Sequence, residues 1–499
     1  NVMLLSPEEP NLYIASLTLL APDGKEIDFE SSKIGFRDIR IENGIIYLNG
    51  KRLIVRGVNR HEHSAVTGRV ISREQMIEEI KLMKRLNINS VRTCHYPDTP
   101  DWYDLCDEWG ILLVCECNIE THGVNGALTH NPAWAINFLE RVIRMVLTYK
   151  NHPSIYSWSL GNESGVGANH AEMTGWVKEY DPDRLCQYES GNPGKNISDV
   201  RGYMYAPIVD IMQMLTDPED TRPIVLVEYL YQICNSGGGM NKFYELVENY
   251  KRFQGGYIWD WMDKALINRT DSLDEYYAYG GDFSESVVDE YYPKFMTNNG
   301  IILPDLTPKP VAYEVKHYYC PIIIEEEKYN SPWVLDPGPS HLIIKNRNLV
   351  LDSSNYKIIY TIRENGLPVK SGEYELPLLK AGDQTRLKLP EYDKKPDKKY
   401  LIDFSIRYAR ATAFADEGYE LGCYQFAPDG GIGYSYAGIS GKLSPDTSEN
   451  FADNLWEISY LPDRIRLKNH DTSVVFDRNN GLISSLSKGD TVFLIGGPK

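Results

Sequence analysis

Short apolar runs and longer amphipathic segments alternate through the middle of the chain. Runs of β-branched and other apolar residues, closed by polar or turn-forming residues, predict strands at 53–58, 89–93, 111–117, 154–160, 185–189, 200–204, 223–228 and 255–260. Between them, apolar residues three and four positions apart predict helices at 73–86, 100–109, 133–149, 168–180 and 240–252. This order favours a (β/α)₈ TIM barrel over a doubly wound sheet.

The chain on either side of this region is predicted to form strands without helices. Residues 11–36 alternate like the last strands of a β-sandwich, and the Asn49-Gly50 pair predicts a hairpin turn. Strands recur between residues 342 and 406, as in an immunoglobulin-like sandwich, and the Gly-rich stretch 428–442 predicts a linker. The predicted fold class is therefore α/β, with a TIM barrel flanked by immunoglobulin-like β-sandwich domains.

Domain limits follow from these changes of pattern. We predict the end of an immunoglobulin-like β-sandwich at 1–37, the TIM barrel at 38–320, a second immunoglobulin-like sandwich at 321–427, and a linker with the start of a larger β-sandwich at 428–499. A sandwich needs more strands than either terminal segment offers. We therefore expect both terminal domains to be truncated.

Composition and charge narrow the class of protein. The chain has 499 residues, of which 42% are hydrophobic, and this fraction predicts a packed core rather than a disordered chain. A net charge of −18 argues against nucleic acid or an anionic membrane as the main partner. The eight cysteines lack the paired spacing of a zinc site or a disulfide scaffold, so we expect reduced thiols.

No signal peptide opens the sequence and no apolar run reaches membrane-spanning length, so we predict a cytoplasmic location and leave a periplasmic one open.

Carboxylates stand at the ends of two predicted barrel strands. Glu163 follows the strand at 154–160, and Glu228 ends the strand at 223–228. Because active-site groups of a TIM barrel gather at the C-terminal ends of its strands, we expect both side chains to face one cleft. Two such carboxylates suit glycoside hydrolysis, although either one alone also fits a structural hydrogen-bond acceptor. The other strand ends are also polar, at 59–63, 92–96, 118–123, 188–189, 204–205 and 259–261.

Several of these segments resemble the β-galactosidases of glycoside hydrolase family two. The resemblance runs essentially end to end, and its motifs lie at 55–63, 118–123, 158–165, 235–239 and 254–261. It implies a retaining exo-β-galactosidase that releases terminal β-D-galactose through a covalent glycosyl-enzyme. The resemblance implies that Glu163 is the acid/base and that Glu228 is the nucleophile. Retaining chemistry places the two carboxyl groups roughly 5–5.5 Å apart.

The resemblance also implies the groups that hold the substrate and metal ions. Arg92 is the nearest plausible cation for the Glu228 carboxylate, with Tyr205 as a hydrogen-bond donor to it. Trp259 is expected to stack on the sugar face, with a core tryptophan as the alternative. The full substrate-binding set is His61, Arg92, His95, Asn162, Tyr205, Tyr231 and Trp259. The implied metal ligands are Glu120, His122 and Glu163 for Mg²⁺, and Asn299 for Na⁺. We expect an oligosaccharide or small glycoside as substrate, and a homo-oligomer for the full-length protein.

Departures from the family pattern keep other functions open. Tyr231 stands where the family usually has a galactose-contacting His, and a phenol cannot carry a positive charge. The family completes its sugar site with flanking domains that we expect to be absent or cut here, so we expect poor turnover by this chain alone. The alternatives are a sibling β-glycosidase of glucuronidase or mannosidase type, and a barrel that binds glycans without hydrolysing them. A zinc site built from His61, His63, His95 and His122 is a further alternative, but it leaves both strand-end carboxylates unexplained.

Overall fold

A computed structural model describes residues 2–270, 272–284, 296–326, 342–395, 398–428, 456–478 and 482–494. The chain divides into two compact units, Asn1–Gly431 and Ile432–Lys499. Across the described residues, no helix has the length and apolar character needed to cross a membrane. All eight cysteines lie in the described part, and none of them forms a disulfide.

The N-terminal residues form two small antiparallel sheets. The first pairs β1 (Tyr13–Leu20) with β2 (Glu26–Ile34), and most of its side chains are exposed. The second contains β3 (Ile39–Glu42), β4 (Ile45–Leu48) and β5 (Lys51–Arg52). Asn49 and Gly50, both with positive φ, connect β4 to β5, so the predicted hairpin is confirmed.

Eight parallel strands form the barrel that positions the site. They are β6 (Val55–Arg60), β7 (Ser90–Thr93), β8 (Leu112–Glu116), β9 (Ile155–Ser159), β10 (Leu185–Gln187), β11 (Arg201–Met204), β12 (Ile224–Tyr229) and β13 (Phe253–Ile258). They are hydrogen-bonded in the order β10-β9-β8-β7-β6-β13-β12-β11, which is an almost closed ring. Every residue of β6 through β10, β12 and β13 is buried, as expected for parallel strands covered on both faces. The predicted TIM barrel is confirmed.

Among the described residues, six α-helices lie between barrel strands, and a seventh follows the last of them. They are α1 (Arg73–Arg85), α2 (Pro100–Trp109), α3 (Ala135–Tyr149), α4 (Ala168–Tyr180), α5 (Ile208–Thr216), α6 (Met240–Asn249) and α7 (Pro310–Tyr318). The Ser72 hydroxyl accepts a hydrogen bond from the Gln75 amide at 3.2 Å and so caps the start of α1. Five helices were predicted from periodicity. The other two, α5 and α7, have nine residues each and are too short to establish a clear helical period.

A buried ion-pair network lies beneath the end of β6. The Arg60 guanidinium donates hydrogen bonds to Glu79 at 2.7 Å and to Asp98 at 2.8 Å, and it lies 3.8 Å from the centre of the Trp102 ring. Burial raises the pKa of Asp98 to about 7, although the charge of Arg60 opposes this shift. The network fixes the strand end from which the 59–63 segment extends into the cleft.

The remainder of the described chain is almost entirely β-structure. The strands are β14 (Leu266–Arg269), β15 (Glu275–Ala278), β16 (Ile322–Glu326), β17 (Leu342–Asn346), β18 (Tyr356–Glu364), β19 (Leu367–Tyr374), β20 (Gln384–Leu387), β21 (Tyr400–Tyr408) and β22 (Glu420–Phe426). The sheets β16-β17-β20 and β19-β18-β21-β22 share one apolar core, which includes Ile322, Ile344, Ile358 and Ile402. This arrangement of two antiparallel sheets lies within the predicted second sandwich.

The second compact unit contains one described antiparallel sheet. Its strands are β23 (Glu457–Tyr460), β24 (Arg464–Asn469), β25 (Thr472–Asp477), β26 (Ile483–Lys488) and β27 (Thr491–Leu494). The predicted linker at 428–442 lies, apart from residue 428, outside the described residues. The predicted domain limits and the immunoglobulin-like assignment of the flanking domains stay predictions.

Candidate active site

The two strand-end carboxylates lie at the C-terminal end of the barrel. Glu228 is the fifth residue of β12, and Glu163 follows β9 after a short turn. The turn depends on Gly161, because a Cβ atom there would lie 2.5 Å from the carbonyl oxygen of Ile119. Glu163 itself has a φ of 40°, which a non-glycine residue seldom adopts. The backbone at this strand end is therefore strained where a candidate catalytic group is held.

The Glu228 carboxylate is buried and receives two hydrogen bonds. Arg92 Nη1 donates to Glu228 Oε1 at 2.9 Å, and the Tyr205 hydroxyl donates to Oε2. His95 Nε2 lies 3.9 Å from Oε1. Burial raises the pKa of Tyr205 above its ordinary value, and the neighbouring charge of Glu228 raises it further, so the phenol keeps its proton. Both donors stabilise the ionised carboxylate.

Arg92 connects the two carboxylate-bearing strands. Its fully buried guanidinium donates two hydrogen bonds to Glu116, at 2.7 and 3.0 Å, and one to Asn162 Oδ1 at 2.7 Å. A further bond joins Nη1 to Asn59 Oδ1 at 2.9 Å. Burial alone would lower the pKa of Arg92, but the charges of Glu116 and Glu228 raise it well above its ordinary value. The guanidinium is therefore a fixed positive charge beneath the cleft.

Glu116 is a site residue that the sequence analysis missed. Its carboxylate accepts hydrogen bonds from Arg92, from Ser159 at 2.7 Å and from His95 Nδ1 at 2.8 Å. Burial would raise the pKa of this carboxyl group, but Arg92 and His95 lower it. A single acidic residue inside the otherwise apolar run 111–117 was the signal that could have identified it.

Glu163 has a different environment from Glu228. About one third of its side chain is exposed (34%), and His122 Nδ1 lies 2.7 Å from Oε2. Its backbone amide donates to Glu189 Oε1 at 3.1 Å. Glu189 is buried, and burial raises its pKa to about 8 even though the charge of Arg92 opposes the shift. Glu189 was predicted to lie at a strand end, but not to belong to the site.

Three aromatic rings line one wall of the cleft. His95 stacks on Trp259 with ring centres 5.2 Å apart and planes 12° apart, and His61 meets both rings edge-on at 5.4 and 5.5 Å. His61 Nδ1 also lies 3.0 Å from the Tyr96 hydroxyl. Burial lowers the pKa of His61 well below its ordinary value, and the charge of Lys264 lowers it further. The nearly parallel rings of Trp259 and His95 offer aromatic surface of the kind that stacks on a sugar face.

Tyr231 lies next to the Glu228 site. Its ring meets that of Tyr205 edge-on, with centres 5.7 Å apart. Burial raises the pKa of Tyr231, and a hydrogen bond with Asn299 opposes this shift. Both tyrosines line a cavity of about 570 Å³ together with Phe243 and Met296. The predicted substrate-binding residues are therefore brought to one end of the barrel.

The residues predicted to hold Mg²⁺ also come together. Glu120, His122 and Glu163 each present a ligand atom within 4.8 Å of the others. Asn162 Nδ2 donates to Glu120 Oε2 at 2.5 Å, which orients that carboxylate. Burial and the nearby charge of Glu163 both raise the pKa of Glu120. A divalent cation would relieve this repulsion, so the two carboxylates fit a hard ion, while His122 adds a nitrogen ligand that Mg²⁺ does not favour.

The four histidines of the zinc alternative do not form one group. His61 and His95 lie together beside Cys94, whereas His122 belongs to the Glu120 and Glu163 group. His63 Nε2 is bonded to the carbonyl oxygen of Ala265 at 2.8 Å. Among the residues that the structure describes, no group of three or more possible ligands contains all four histidines. This arrangement gives the zinc alternative no support.

Comparison with protein families gives two matches along the chain. Residues 39–324 match the glycosyl hydrolases family 2, TIM barrel domain, and residues 342–428 match β-galactosidase, domain 4. The chain is similar to a β-galactosidase of Photobacterium profundum, with 36% identity over 461 residues that cover 90% of this chain and 44% of the relative. It is also similar to one of Alteromonas mediterranea, with 37% identity over 433 residues, 84% of this chain and 40% of the relative. The chain thus spans less than half the length of these curated relatives.

Solved structures resemble the fold. A β-galacturonidase of Eisenbergiella tayi bound to galacturonate superposes with a TM-score of 0.51 and 25% identity, covering 64% of this chain and 60% of that one. A β-glucuronidase of Ruminococcus gnavus in complex with D-glucaro-1,5-lactone gives a TM-score of 0.52 and 21% identity, covering 63% of this chain and 58% of that one. The second likeness concerns the fold alone.

Proposed function

Because this chain belongs to glycosyl hydrolase family 2, we propose that it carries the catalytic centre of a retaining exo-β-galactosidase. The observation that carries this proposal is the contrast between two carboxylates at one end of the barrel. Glu228 is buried and held by Arg92 and Tyr205, whereas Glu163 is partly exposed and, among the described residues, forms an ion pair only with His122 when that ring is protonated. Environments that differ in this way suit a nucleophile and a proton donor. The 36–37% identical β-galactosidases support galactose as the sugar.

In the first step, the Glu228 carboxylate attacks the anomeric carbon of the galactoside. The bond from that carbon to the leaving oxygen breaks, a carbon–oxygen bond to Glu228 forms, and Glu163 gives its proton to the leaving oxygen. Arg92 and Tyr205 orient the attacking carboxylate before the sugar arrives. In the second step Glu163 takes a proton from water, the water oxygen attacks the same carbon, and Glu228 leaves as a carboxylate.

The surroundings of the two carboxylates provide space for both parts of the substrate. The wall formed by Trp259, His61 and His95 would stack on the galactose ring. A cavity of about 840 Å³ beside Glu163 and Glu189 would receive the leaving group. This cavity is bordered by residues of β11 and α5, among them Arg201 and Asp210, so it offers polar contacts to a second sugar.

We propose Glu120, His122 and Glu163 as the residues that hold Mg²⁺. When bound, the ion would supply positive charge next to the proposed acid/base. In addition, Asn162 would keep the Glu120 carboxylate turned toward the ion through its 2.5 Å hydrogen bond.

Removal of the metal is expected to lower activity. Chelation with EDTA should reduce the hydrolysis rate by about tenfold, the effect of ~1.4 kcal/mol of lost transition-state stabilisation. It should also move the alkaline limb of the pH–rate profile, and added Mg²⁺ should reverse both changes. Glu120→Gln is the matched variant: its activity should already be low and insensitive to EDTA. Better recovery with Zn²⁺ than with Mg²⁺ would contradict the assignment.

A panel of p-nitrophenyl glycosides tests the proposed substrate. The β-galactoside should be hydrolysed with a kcat/KM at least about a hundredfold above those of the β-glucuronide, β-galacturonide and β-mannoside, because a site built around sugar hydroxyls discriminates strongly against altered ones. Glu228→Gln, prepared in the same way, controls for contaminating host enzyme. Preference for a uronide would point to the sibling glycosidases, and binding of galactose without hydrolysis of any member would point to a glycan-binding barrel.

The cytoplasmic location and homo-oligomeric state expected for the full-length protein stay predictions.

A further inference from the structure

The side chain of Lys264 contacts Asn299, the residue that the sequence analysis predicted as a sodium ligand. Its ammonium group donates a hydrogen bond to the carboxylate of Asp260 and another to Asn299 Oδ1, the latter at 3.0 Å. Asn299 is the residue that the family resemblance assigns to Na⁺. Both partners are buried, with 1% of the Asp260 side chain and 4% of Asn299 exposed. A positive charge supplied by the chain itself therefore already meets the proposed sodium ligand.

The backbone on both sides holds this arrangement in place. The Lys264 amide donates to Thr297 O at 3.0 Å, and the Asp260 amide donates to Asn299 O at 3.1 Å. The Ile301 amide in turn donates to Asp260 O at 2.9 Å. These bonds tie the segment after β13 to the segment before α7. The ammonium group is thus fixed by two side chains that are themselves fixed by the backbone.

The ammonium group also faces the proposed sugar site. It lies 5.6 Å from the centre of the Trp259 ring, and 17% of the Lys264 side chain is exposed. Tyr231 forms a hydrogen bond with Asn299, which also accepts one from the ammonium group. An ammonium has three hydrogens to donate, and Asp260 and Asn299 account for two of them. No other described residue accepts the third, which could meet an oxygen of a sugar stacked on Trp259.

A sodium ion does not fit at Asn299 while Lys264 is in this position. The ion would have to share the Asn299 oxygen with the ammonium, and the two positive charges would repel each other across a few ångströms. The Asp260 carboxylate balances one positive charge, not two. The Lys264 and Asp260 pair therefore has no net negative charge left to attract a sodium ion.

From this geometry we propose that the Lys264 ammonium takes the place of sodium as the cation of the sugar site. It determines specificity by donating a hydrogen bond to a hydroxyl of a neutral sugar. A hydroxyl is favoured over a carboxylate because the lysine charge is already balanced by Asp260, and a sugar carboxylate would add a further negative charge beside Glu228. The hydroxyl contact rests on the proposed function, whereas the replacement of sodium does not.

The replacement of sodium is tested without any measurement of activity. In ²³Na NMR at an ionic strength held constant with choline chloride, the unchanged chain should cause no sodium-specific line broadening. Lys264→Ala should broaden the signal, because it exposes the Asp260 carboxylate and the Asn299 oxygen. The double variant Lys264→Ala with Asp260→Asn removes the carboxylate and should again cause none. Specific broadening by the unchanged chain, or its absence in a folded Lys264→Ala, would overturn the proposal.

The contact with the sugar is tested by calorimetric binding of isopropyl β-D-thiogalactoside. Lys264→Ala and the similarly shaped Lys264→Met should weaken binding by about tenfold, and Na⁺ should restore it in Lys264→Ala only. Lys388→Ala, which removes a charge from a lysine whose side chain is 83% exposed, should have no effect. Unchanged affinity in both Lys264 variants would overturn the specificity role. Failure of the unchanged chain to bind the probe would instead count against the proposed galactosidase function and leave the sodium result standing.

Discussion

Replacing Glu228 with glycine or serine is expected to reduce galactoside hydrolysis by at least about a thousandfold, because the group that forms the covalent intermediate is lost. The variant should remain folded, since the smaller side chain leaves the Arg92 guanidinium paired with Glu116. Initial rates on an activated aryl galactoside measure the loss. Thermal unfolding of the same preparation separates it from destabilisation.

Azide distinguishes a missing nucleophile from a damaged site. In Glu228→Gly, azide should enter the vacated space and attack the anomeric carbon from the side opposite the leaving group. The carbon–nitrogen bond forms as the bond to the leaving oxygen breaks, so the expected product is the inverted α-galactosyl azide. Formation of the β-azide by this variant would show that Glu228 is not the nucleophile.

Replacing Glu163 with alanine is expected to impair hydrolysis to a degree that depends on the leaving group. General acid catalysis contributes about 10²–10⁴-fold, so natural galactosides with poor leaving groups should lose about that factor. A dinitrophenyl galactoside needs little protonation of its leaving oxygen, and its glycosyl-enzyme should still form. Kinetics on both substrates, with Glu163→Gln as the matched variant, measure the difference.

Azide should also rescue the Glu163 variant, with the opposite stereochemistry. It would attack the glycosyl-enzyme from the face that Glu163 normally occupies and give the β-galactosyl azide, with retained configuration. The two variants thus predict different azide products. An equal loss on both substrates, or an α-azide from Glu163→Ala, would contradict the acid/base role.

The barrel was predictable because its strands are apolar and fully buried. Runs such as 223–228 have few polar residues until their last position, so their limits in the sequence and in the structure differ by only one or two residues. Helices α5 and α7 escaped prediction, and with nine residues each they are the shortest α-helices described. Neither helix has an acidic or small polar N-cap, since Pro207 and Lys309 occupy those positions, and only α7 has another start signal, Pro310 at its first position.

The site residues at strand ends were predictable from the sequence. The residues whose part in the site depends on contacts across the barrel were less so. Glu163 and Glu228 were identified because each comes at the end of an apolar run. Glu116 was not, because its side chain points inside the barrel and its function depends on Arg92, which lies on another strand. Lys264 comes six residues after β13 ends, and only the folded chain brings it to Asn299, 35 residues further on.

Trapping of the glycosyl-enzyme tests the central claim most directly. A 2-deoxy-2-fluoro-β-galactoside with an activated leaving group should react with the protein once, because the fluorine slows both steps and the good leaving group speeds only the formation of the intermediate. Peptide mass spectrometry should then place the fluorogalactosyl group on Glu228. Labelling of Glu163 instead, or turnover of the reagent without any covalent label, would contradict the account.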